Sequence, residues 1–443
     1  MSSLDQAAVL TPADRDRYVD FLRAFSILVV VVGHWMIGVI LWQGGFIRSE
    51  SAIGVTPFLW LATWFLQVMP VFFFVGGFSN LVAYESFRRR GETTMAFVRS
   101  RLRRLLGPSL VFLAVWAMVQ VVLHVADVGA ASGPYLWGET RLLRGVRPPG
   151  ATIPFGPLWF LGVYLVVVAI SPLTIALHRR FGAAVPAAMV LGAVTVDVAA
   201  FRFGLQDLRW LNVAFVLLLP HQLGHFYGDG RMLRWPRRRF VAMAAAGFGA
   251  LVILTNPPLF EWLGGDQRFR WFPTIGHYPK SLLGTDVEPI SNAYPPTVPF
   301  MAMVFWSIGA VMLLREPLSA WLRRPGAWKA TIAVNGVIMT LFLWHMTAYL
   351  LVILALWPLG FGQQPGGTAR WWAERPLWVL VPGAILLGLI ALFGRFERPR
   401  GRSRTRAELE ARPGLPPATP RASRSRGSPR PRPTPRPPRT GAE

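Results

Sequence analysis

The sequence has no cysteine and few charged residues, and each scarcity narrows the kind of protein it can encode. Without cysteine there is no disulfide, no thiol nucleophile and no thiolate metal site. Charged residues make up 15% of the 443 positions, whereas hydrophobic residues make up 53%. Apolar runs recur from residue 20 to residue 394, which is typical of a polytopic membrane protein rather than a soluble globular one.

Ten of these apolar runs are long enough to cross a bilayer, since ~20 helical residues span a ~30 Å hydrocarbon core. Asp197 interrupts the fifth run, and His221 and His225 interrupt the sixth. The sequence therefore predicts an all-α polytopic membrane protein with about ten transmembrane helices. The predicted segments are approximately 20–43, 58–83, 108–127, 158–177, 183–201, 211–227, 240–256, 297–314, 332–357 and 377–394.

The net charge of +24 reflects membrane topology rather than affinity for nucleic acid. Fourteen arginines lie in residues 395–443, and most of the others cluster in short loops. With a cytoplasmic N-terminus, the inside segments hold 21 Lys and Arg residues and the outside loops hold 11. This asymmetry predicts a multi-pass protein of the cell (plasma) membrane with both termini in the cytoplasm. The first apolar run has no cleavage site after it and is predicted to be retained.

Composition divides the chain into three regions. Residues 1–18 form a polar cytoplasmic segment, and residues 19–394 form the transmembrane domain. Residues 395–443 are rich in Arg, Pro and Ser and cannot bury enough apolar surface to fold. We predict that this tail is disordered, cytoplasmic and dispensable for chemistry, and that it rests near anionic membrane lipids.

The first apolar run carries ionisable side chains, which are costly inside a membrane and usually functional. Arg23 and His34 are eleven residues apart, so on an α-helix they share one face at a distance of ~16 Å along the axis. Asp20 lies on the same side. In a functional interpretation, Arg23 meets an anionic ligand at the cytoplasmic end and His34 acts as a general base about halfway across. In the structural alternative, Arg23 reaches the headgroups and His34 bonds a neighbouring helix.

Two further groups of polar residues have a functional and a structural interpretation. Arg101 and Arg104 share a helical side and could clamp a phosphate, although topology alone also explains arginines there. His221 and His225, with Asp229 one turn further, could bind zinc. Nearby glycines and the absence of a glutamate between the histidines favour a hydrogen-bonding role at a helix end, so no metal site is predicted.

Several motifs occur in an order that resembles the acyltransferase family 3 membrane proteins. They are R23-x10-H34 within R17-Y-V-D-F-L-R-A, F72-F-F-V-G-G-F78, R101-L-R-R104 before Pro108, G156-P-L-W-F-L161 and F342-L-W-H345. The resemblance covers roughly residues 15–395. In the second motif Gly76 stands where the family commonly has serine, so this position supplies no hydroxyl.

The resemblance implies an integral membrane O-acyltransferase that modifies glycans, lipids or antibiotics. An acyl-CoA, most simply acetyl-CoA, would bind from the cytoplasm with its phosphates on arginines, and no cofactor would be bound. Arg101 and Arg104 are the expected donor-binding residues, and Arg23 and His34 the expected catalytic ones. His34 would deprotonate or orient an acceptor hydroxyl that attacks the thioester, and no covalent enzyme intermediate is required.

Other residues are assigned to the acceptor side or to support. They are His345, Trp159, Asp20, His277 and Asn292, with Tyr294 as a further candidate. His345 could instead be a satisfied core histidine, and Trp159 a core aromatic. The acceptor could be a glycan, a lipid-linked sugar or a small-molecule product.

A different class, a transporter or flippase of an acylated or polyanionic molecule, is also compatible with a polytopic chain. Transporters usually show several intramembrane carboxylates or repeated, interrupted helices. Here Asp197 is the one obvious carboxylate in the middle of a segment, and no internal repeat is found. The sequence therefore favours the enzyme.

Overall fold

The computed structural model describes residues 15–43, 46–125, 155–256, 275–285 and 287–397, together with residues 5, 11, 12 and 153. All of them belong to one compact unit, Met1–Pro399. Within this part of the chain the fold is all-α, as predicted, with one short two-stranded sheet. The tail predicted for residues 395–443 lies outside the described residues from position 398 onwards, and its disorder stays a prediction.

Helices account for nearly all of the regular structure in the described residues. In chain order they are α1 Arg17–Ile37, α2 Trp60–Leu66, α3 Met69–Arg89, α4 Thr94–Val125, α5 Leu158–Phe181, α6 Ala184–Phe203, α7 Asn212–Gly228, α8 Arg237–Thr255, α9 Val298–Trp321, α10 Pro325–Asn335, α11 Ile338–Leu356, α12 Ala369–Glu374 and α13 Leu377–Phe393. Strands β1 Gly38–Gln43 and β2 Phe46–Ser51 pair antiparallel between α1 and α2. Nine helical stretches in the described residues are long and apolar enough to cross a membrane.

The sixth predicted segment corresponds to α7, a 17-residue helix that lies in the core of the bundle. It packs closely on α3 at two glycines. A Cβ atom at Gly77 would lie 1.9 Å from the His221 carbonyl oxygen, and one at Gly224 would lie 2.2 Å from the Phe74 carbonyl oxygen. Only glycine allows two helix backbones to approach so closely. The helix is therefore surrounded by protein, which explains why it can carry polar side chains.

The first helix is shorter than predicted. It ends at Ile37 rather than at residue 43, because residues 38–43 form β1, whose Val, Ile, Leu and Trp side chains suit a strand. His34 consequently lies in the last turn of α1. That it lies about halfway across the bilayer stays a prediction.

The third and ninth predicted segments also differ from the observed helices. Helix α4 begins at Thr94, so Arg101 and Arg104 lie within it, and Pro108 is inside the helix rather than at its start. The ninth segment is divided at Gly336 into α10 and α11. As a result α11 begins only about two turns before His345, so contacts at the start of α11 also affect the position of His345.

The two ends of the bundle can be told apart by their contacts. We call the end at which α1 begins the proximal face; there Arg17 donates to the Leu322 carbonyl just after α9, and Tyr227 in α7 donates to Asp16. We call the opposite end, where α1 gives way to β1, the distal face. On α1, Arg23 lies toward the proximal face and His34 toward the distal face.

Candidate active site

Two histidines meet near the distal end of α1. His34 in α1 and His345 in α11 bring Nδ1 and Nε2, respectively, to 3.1 Å, and their ring centroids are 5.2 Å apart. The neighbouring Trp35 donates its indole N–H to the His345 carbonyl at 3.1 Å, which joins the same two helices. The sequence separates the two histidines by 311 residues, and helix packing places them in hydrogen-bond contact.

The hydrogen bonds determine where the protons of this pair lie when both rings are neutral. His345 Nδ1 is 2.7 Å from the Phe342 carbonyl oxygen, which can only accept, so Nδ1 carries the proton. His345 Nε2 then accepts, and His34 Nδ1 must donate to it. The second nitrogen of His34, Nε2, is left with a lone pair. Apart from an interaction of the ring with the Val30 backbone, the bond to His345 is the hydrogen bond found for this ring in the described residues, and Nε2 is not among the enclosed polar atoms without a partner.

Arg23 is held on the proximal half of the same helix. One of its terminal nitrogens donates to Asp20 at 3.2 Å and the other to the Ser79 hydroxyl of α3 at 2.6 Å. Asp20 is itself buried and also accepts from Arg15 Nε at 2.5 Å. Asp20 therefore holds Arg23 in position, and its predicted supporting role in catalysis stays a prediction.

Arg101 and Arg104 join Arg23 in one group, which we call the arginine cluster. Arg101 lies within electrostatic range of both Arg23 and Arg104, and Arg23 within range of Arg104. Arg101 is partly buried and donates from Nε to the Asn80 side-chain oxygen at 3.2 Å, whereas Arg104 is exposed. The cluster thus leads from solvent into the proximal half of the bundle, and it has an excess of positive charge.

The side chain of Tyr164 fills the space beside Gly76, the position that lacks a hydroxyl group. A Cβ atom at Gly76 would lie 3.0 Å from Tyr164 Cε2 and 3.2 Å from the Tyr164 hydroxyl, so the tyrosine occupies the room that a larger residue would need. The same phenol lies within electrostatic range of Arg23 and Arg101. Tyr164 and Ser79 therefore supply hydroxyl groups beside the arginine cluster. The sequence interpretation missed both residues.

Asn80 connects the arginine cluster to a second group of histidines. Because Asn80 Oδ1 accepts from Arg101, its Nδ2 donates to His221 Nε2 at 3.2 Å. The neutral His221 ring must then carry its proton on Nδ1, which is enclosed and has no hydrogen-bond partner in the described residues. His225 follows on the same helix, with its Nδ1 3.1 Å from the Gly77 carbonyl and its Nε2 3.1 Å from the Thr174 hydroxyl.

Asp229 does not complete a metal site with these histidines. Its carboxylate lies 2.9 Å from His178 Nε2 and 3.1 Å from Arg231 Nε. Gln222 donates to His178 Nδ1 at 3.0 Å, so the neutral His178 ring donates from Nε2 to Asp229. Within the described ranges no group of three His, Asp or Glu side chains could hold a metal ion. The hydrogen-bonding role favoured for His221 and His225 fits these contacts.

The residues assigned to the acceptor side do not form one site. Trp159 packs edge-on against Tyr294 with centroids 4.9 Å apart. Asn292 is completely buried, and its amide donates to the Pro279 and Ser281 carbonyls at 2.8 Å each. It also accepts from Thr297 at 2.7 Å, so Asn292 organises its own loop.

His277 lies on another surface, in an open groove of about 620 Å³ that also includes Trp60, Lys280 and Glu288. Its Nδ1 is 2.8 Å from the Tyr278 carbonyl oxygen. The groove is formed by the loop before α9 and the segment that follows β2. Neither Trp159 nor Tyr294 is among the lining residues of this groove.

Asp197 accepts three hydrogen bonds. The Tyr278 hydroxyl donates to it at 2.6 Å, Asn212 Nδ2 at 2.7 Å and the Val298 amide at 2.9 Å. Burial, reinforced by the neighbouring carboxylate, raises the pKa of Tyr278 well above its ordinary value, so the phenol remains a donor. These bonds tie α6 to the start of α9, which is a structural role for the carboxylate.

A buried arginine at the distal face was counted in the sequence only as an outside-loop charge. Arg375 is 2% exposed, stacks on Trp371 and donates from Nη1 to the Gly38 carbonyl at 3.2 Å. Tyr349, one turn after His345, donates to the same carbonyl at 3.2 Å. The two side chains hold the end of α1 just beyond His34. In the sequence, the position of Arg375 between Trp372 and Trp378 is the signal that could have indicated this role.

Comparison with protein families gives a match over most of the chain. The model of a protein family described as an acyltransferase domain matches residues 16–394 of the chain. The match includes the arginine cluster and the histidine pair, and it ends three residues before Glu397. No curated protein and no solved structure matches the chain significantly.

Proposed function

Because the chain belongs to acyltransferase family 3, we propose that it is an integral membrane O-acyltransferase that uses acyl-CoA, most simply acetyl-CoA, as donor. The acceptor is a hydroxyl group of a glycan, a glycolipid or a natural product. The observation that carries the proposal is the lone pair of His34 Nε2, on the same helix as Arg23 of the arginine cluster. The enzyme resides in the cell membrane with its proximal face toward the cytoplasm.

The donor binds at the arginine cluster. Arg104 is exposed, Arg101 is partly buried and Arg23 is held by Asp20 and Ser79, so their positive charges are graded from solvent inward. Guanidinium groups bind phosphate oxygens with paired, charge-assisted hydrogen bonds. The phosphates of CoA therefore stay at the proximal end while the flexible pantetheine arm reaches toward His34, ~16 Å further along α1.

The chemical step takes place at His34. Its Nε2 accepts the proton of the acceptor hydroxyl while the hydroxyl oxygen attacks the thioester carbonyl carbon. The tetrahedral intermediate then collapses, the C–S bond breaks, and the imidazolium returns its proton to the leaving CoA thiolate. The products are an ester and free CoA, and the histidine is regenerated without a covalent enzyme intermediate.

His345 orients this base. It fixes the His34 proton on Nδ1 and so presents the Nε2 lone pair to the acceptor. When His34 is protonated, its Nδ1–H still donates to His345, and that hydrogen bond becomes charge-assisted. His345 thus has a role like the third member of a catalytic triad, with a neutral imidazole in place of the carboxylate.

The proposal is tested with purified full-length protein in detergent and acyl-CoA carrying a labelled acyl group. We expect the label to appear in an ester on a hydroxyl acceptor, identified by comparing lipids, glycans and small metabolites of a deletion strain by mass spectrometry. A transporter requires a sealed compartment and would leave the label on CoA. Asp197, the one carboxylate that suggested a transporter, accepts three hydrogen bonds that tie α6 to α9. It therefore offers no observation in favour of transport.

A further inference from the structure

Helix α11, which carries His345, lacks a capping side chain of its own. The residue before its first turn is Val337, whose side chain cannot accept a hydrogen bond, and no side-chain cap is formed there. The first N–H groups of a helix have no partner within the helix and require acceptors from elsewhere. The start of α11 therefore depends on a residue distant in sequence.

That residue is Glu397. One carboxylate oxygen accepts from the Met339 amide at 2.9 Å, and the other accepts from the amide and the hydroxyl of Thr340, each at 2.9 Å. A carboxylate at a helix N-terminus also interacts favourably with the helix dipole. Three bonds from one side chain fix the position of the first turn, and His345 lies less than two turns further on.

A second contact from the same end of the chain holds α11 beside His345. Phe393, the last residue of α13, stacks on Trp344 with centroids 4.0 Å apart and an angle of 9° between the rings. Phe112 of α4 packs edge-on against the same indole at 5.1 Å. Glu397 therefore contacts α11 at its first turn, and Phe393 contacts it at Trp344, the residue before His345.

The Glu397 carboxylate also lies within electrostatic range of Arg104. We propose that Glu397 is a positioning residue that fixes the position of the start of α11, and hence of His345 relative to His34. The proposal rests on the acyl transfer proposed above. Glu397 lies beyond the family match, which ends at residue 394, and within the first three residues of the region 395–443 that the sequence assigned to the tail. If the proposal holds, the dispensable tail begins after Glu397.

Full-length Glu397→Ala, Glu397→Asp and Arg395→Ala are compared, the last as an exposed neighbour that leaves the cap intact. We expect Glu397→Ala to lower kcat about tenfold, with a smaller change in the KM for acyl-CoA. Aspartate keeps the charge but shortens the reach, so it should restore part of kcat. Arg395→Ala should behave as the wild type.

Hydrogen exchange in detergent supplies a measurement that does not require activity. In Glu397→Ala the amides of Met339 and Thr340 should exchange faster, while those of α13 up to Phe393 keep their protection. Unchanged exchange at both amides would show that Glu397 does not cap α11. Faster exchange with unchanged kcat would retain the cap but overturn its link to His345. If the wild type transfers no acyl group, the exchange result still decides whether Glu397 caps α11.

Discussion

Two groups of histidines stand out among the residues that the structure describes, and they differ in which ring nitrogens remain available. In the His34–His345 pair, the hydrogen bonds leave an acceptor nitrogen, His34 Nε2, that is not enclosed. In the group of His178, His221 and His225, the acceptor nitrogens are used by Gln222, Asn80 and Thr174. The atom left over there is His221 Nδ1, a donor enclosed by protein.

This difference separates a histidine that can take up a substrate proton from histidines that cannot. A general base needs a lone pair within hydrogen-bond reach of the substrate. His34 meets that requirement, whereas the second group has used its lone pairs to hold α3, α5 and α7 together. Burial alone therefore does not identify a catalytic histidine, and the direction of each hydrogen bond has to be worked out.

The largest expected effect comes from removing the base. His34→Ala and His34→Gln should lower kcat about 10²- to 10⁴-fold, because general-base catalysis contributes that much, while the KM for acyl-CoA changes little. Steady-state kinetics on protein of normal expression and thermal stability would measure the loss. Full acyl transfer by either variant would show that the assigned mechanism is wrong.

Removing the orienting partner should have the next largest effect. His345→Ala leaves the His34 ring free to rotate and to change tautomer, and we expect kcat to fall roughly 10- to 100-fold, as for other residues that orient a functional histidine. His345→Gln retains an acceptor for His34 Nδ1–H and should recover part of the activity. If alanine and glutamine variants were equally active, the orienting role would have to be abandoned.

A smaller effect is expected on the donor side. Arg104→Lys keeps the charge but loses the planar fork, so the KM for acyl-CoA should rise about five- to tenfold, with a smaller decrease in kcat. Arg103→Lys on the same helix serves as the matched control, since Arg103 is exposed and outside the arginine cluster. An unchanged KM in Arg104→Lys would show that Arg104 does not bind the donor, and membrane topology alone would explain this arginine.

The smallest effect on activity is expected in the second histidine group. His221→Phe removes the hydrogen bond from Asn80 and should destabilise the protein by about 1–3 kcal/mol, because a buried polar partner is left unsatisfied. Its kcat should stay within about threefold of the wild type, as the variant does not touch the proposed base. Thermal unfolding in detergent and steady-state kinetics measure the two effects. A loss of kcat as large as that of His34→Ala would erase the distinction between the two groups.

The sequence predicted the location of most helices but not every element. Apolar runs identified the spans because hydropathy is a local property, although α1 was predicted too long, where strand-forming residues follow it without a polar break. The hairpin was missed for the same reason. Helix α7 was predicted correctly as a segment, but the close contact of Gly77 and Gly224 that buries it could not be read from composition.

The candidate site shows the same division. Helical periodicity placed Arg23 and His34 on one face of α1, and a local motif identified Arg101 and Arg104. The partners Ser79, Asn80 and Tyr164 carry no signal of their own, because a polar residue in an apolar helix becomes meaningful only when its neighbour is known. His345 was proposed from a motif, but its contact with His34 was not.

By itself the sequence determined the fold class, the approximate helices and the face of α1 that carries ionisable groups, because all three depend on hydropathy and the helical repeat. Tertiary structure decided which histidine holds a free lone pair, where Arg101 is anchored and what caps α11. Each of these depends on a hydrogen bond between residues far apart in the chain, such as His34 with His345 or Glu397 with Thr340. Such a bond is directional and forms only when helix packing brings donor and acceptor within about 3 Å of each other, a distance that no local pattern encodes.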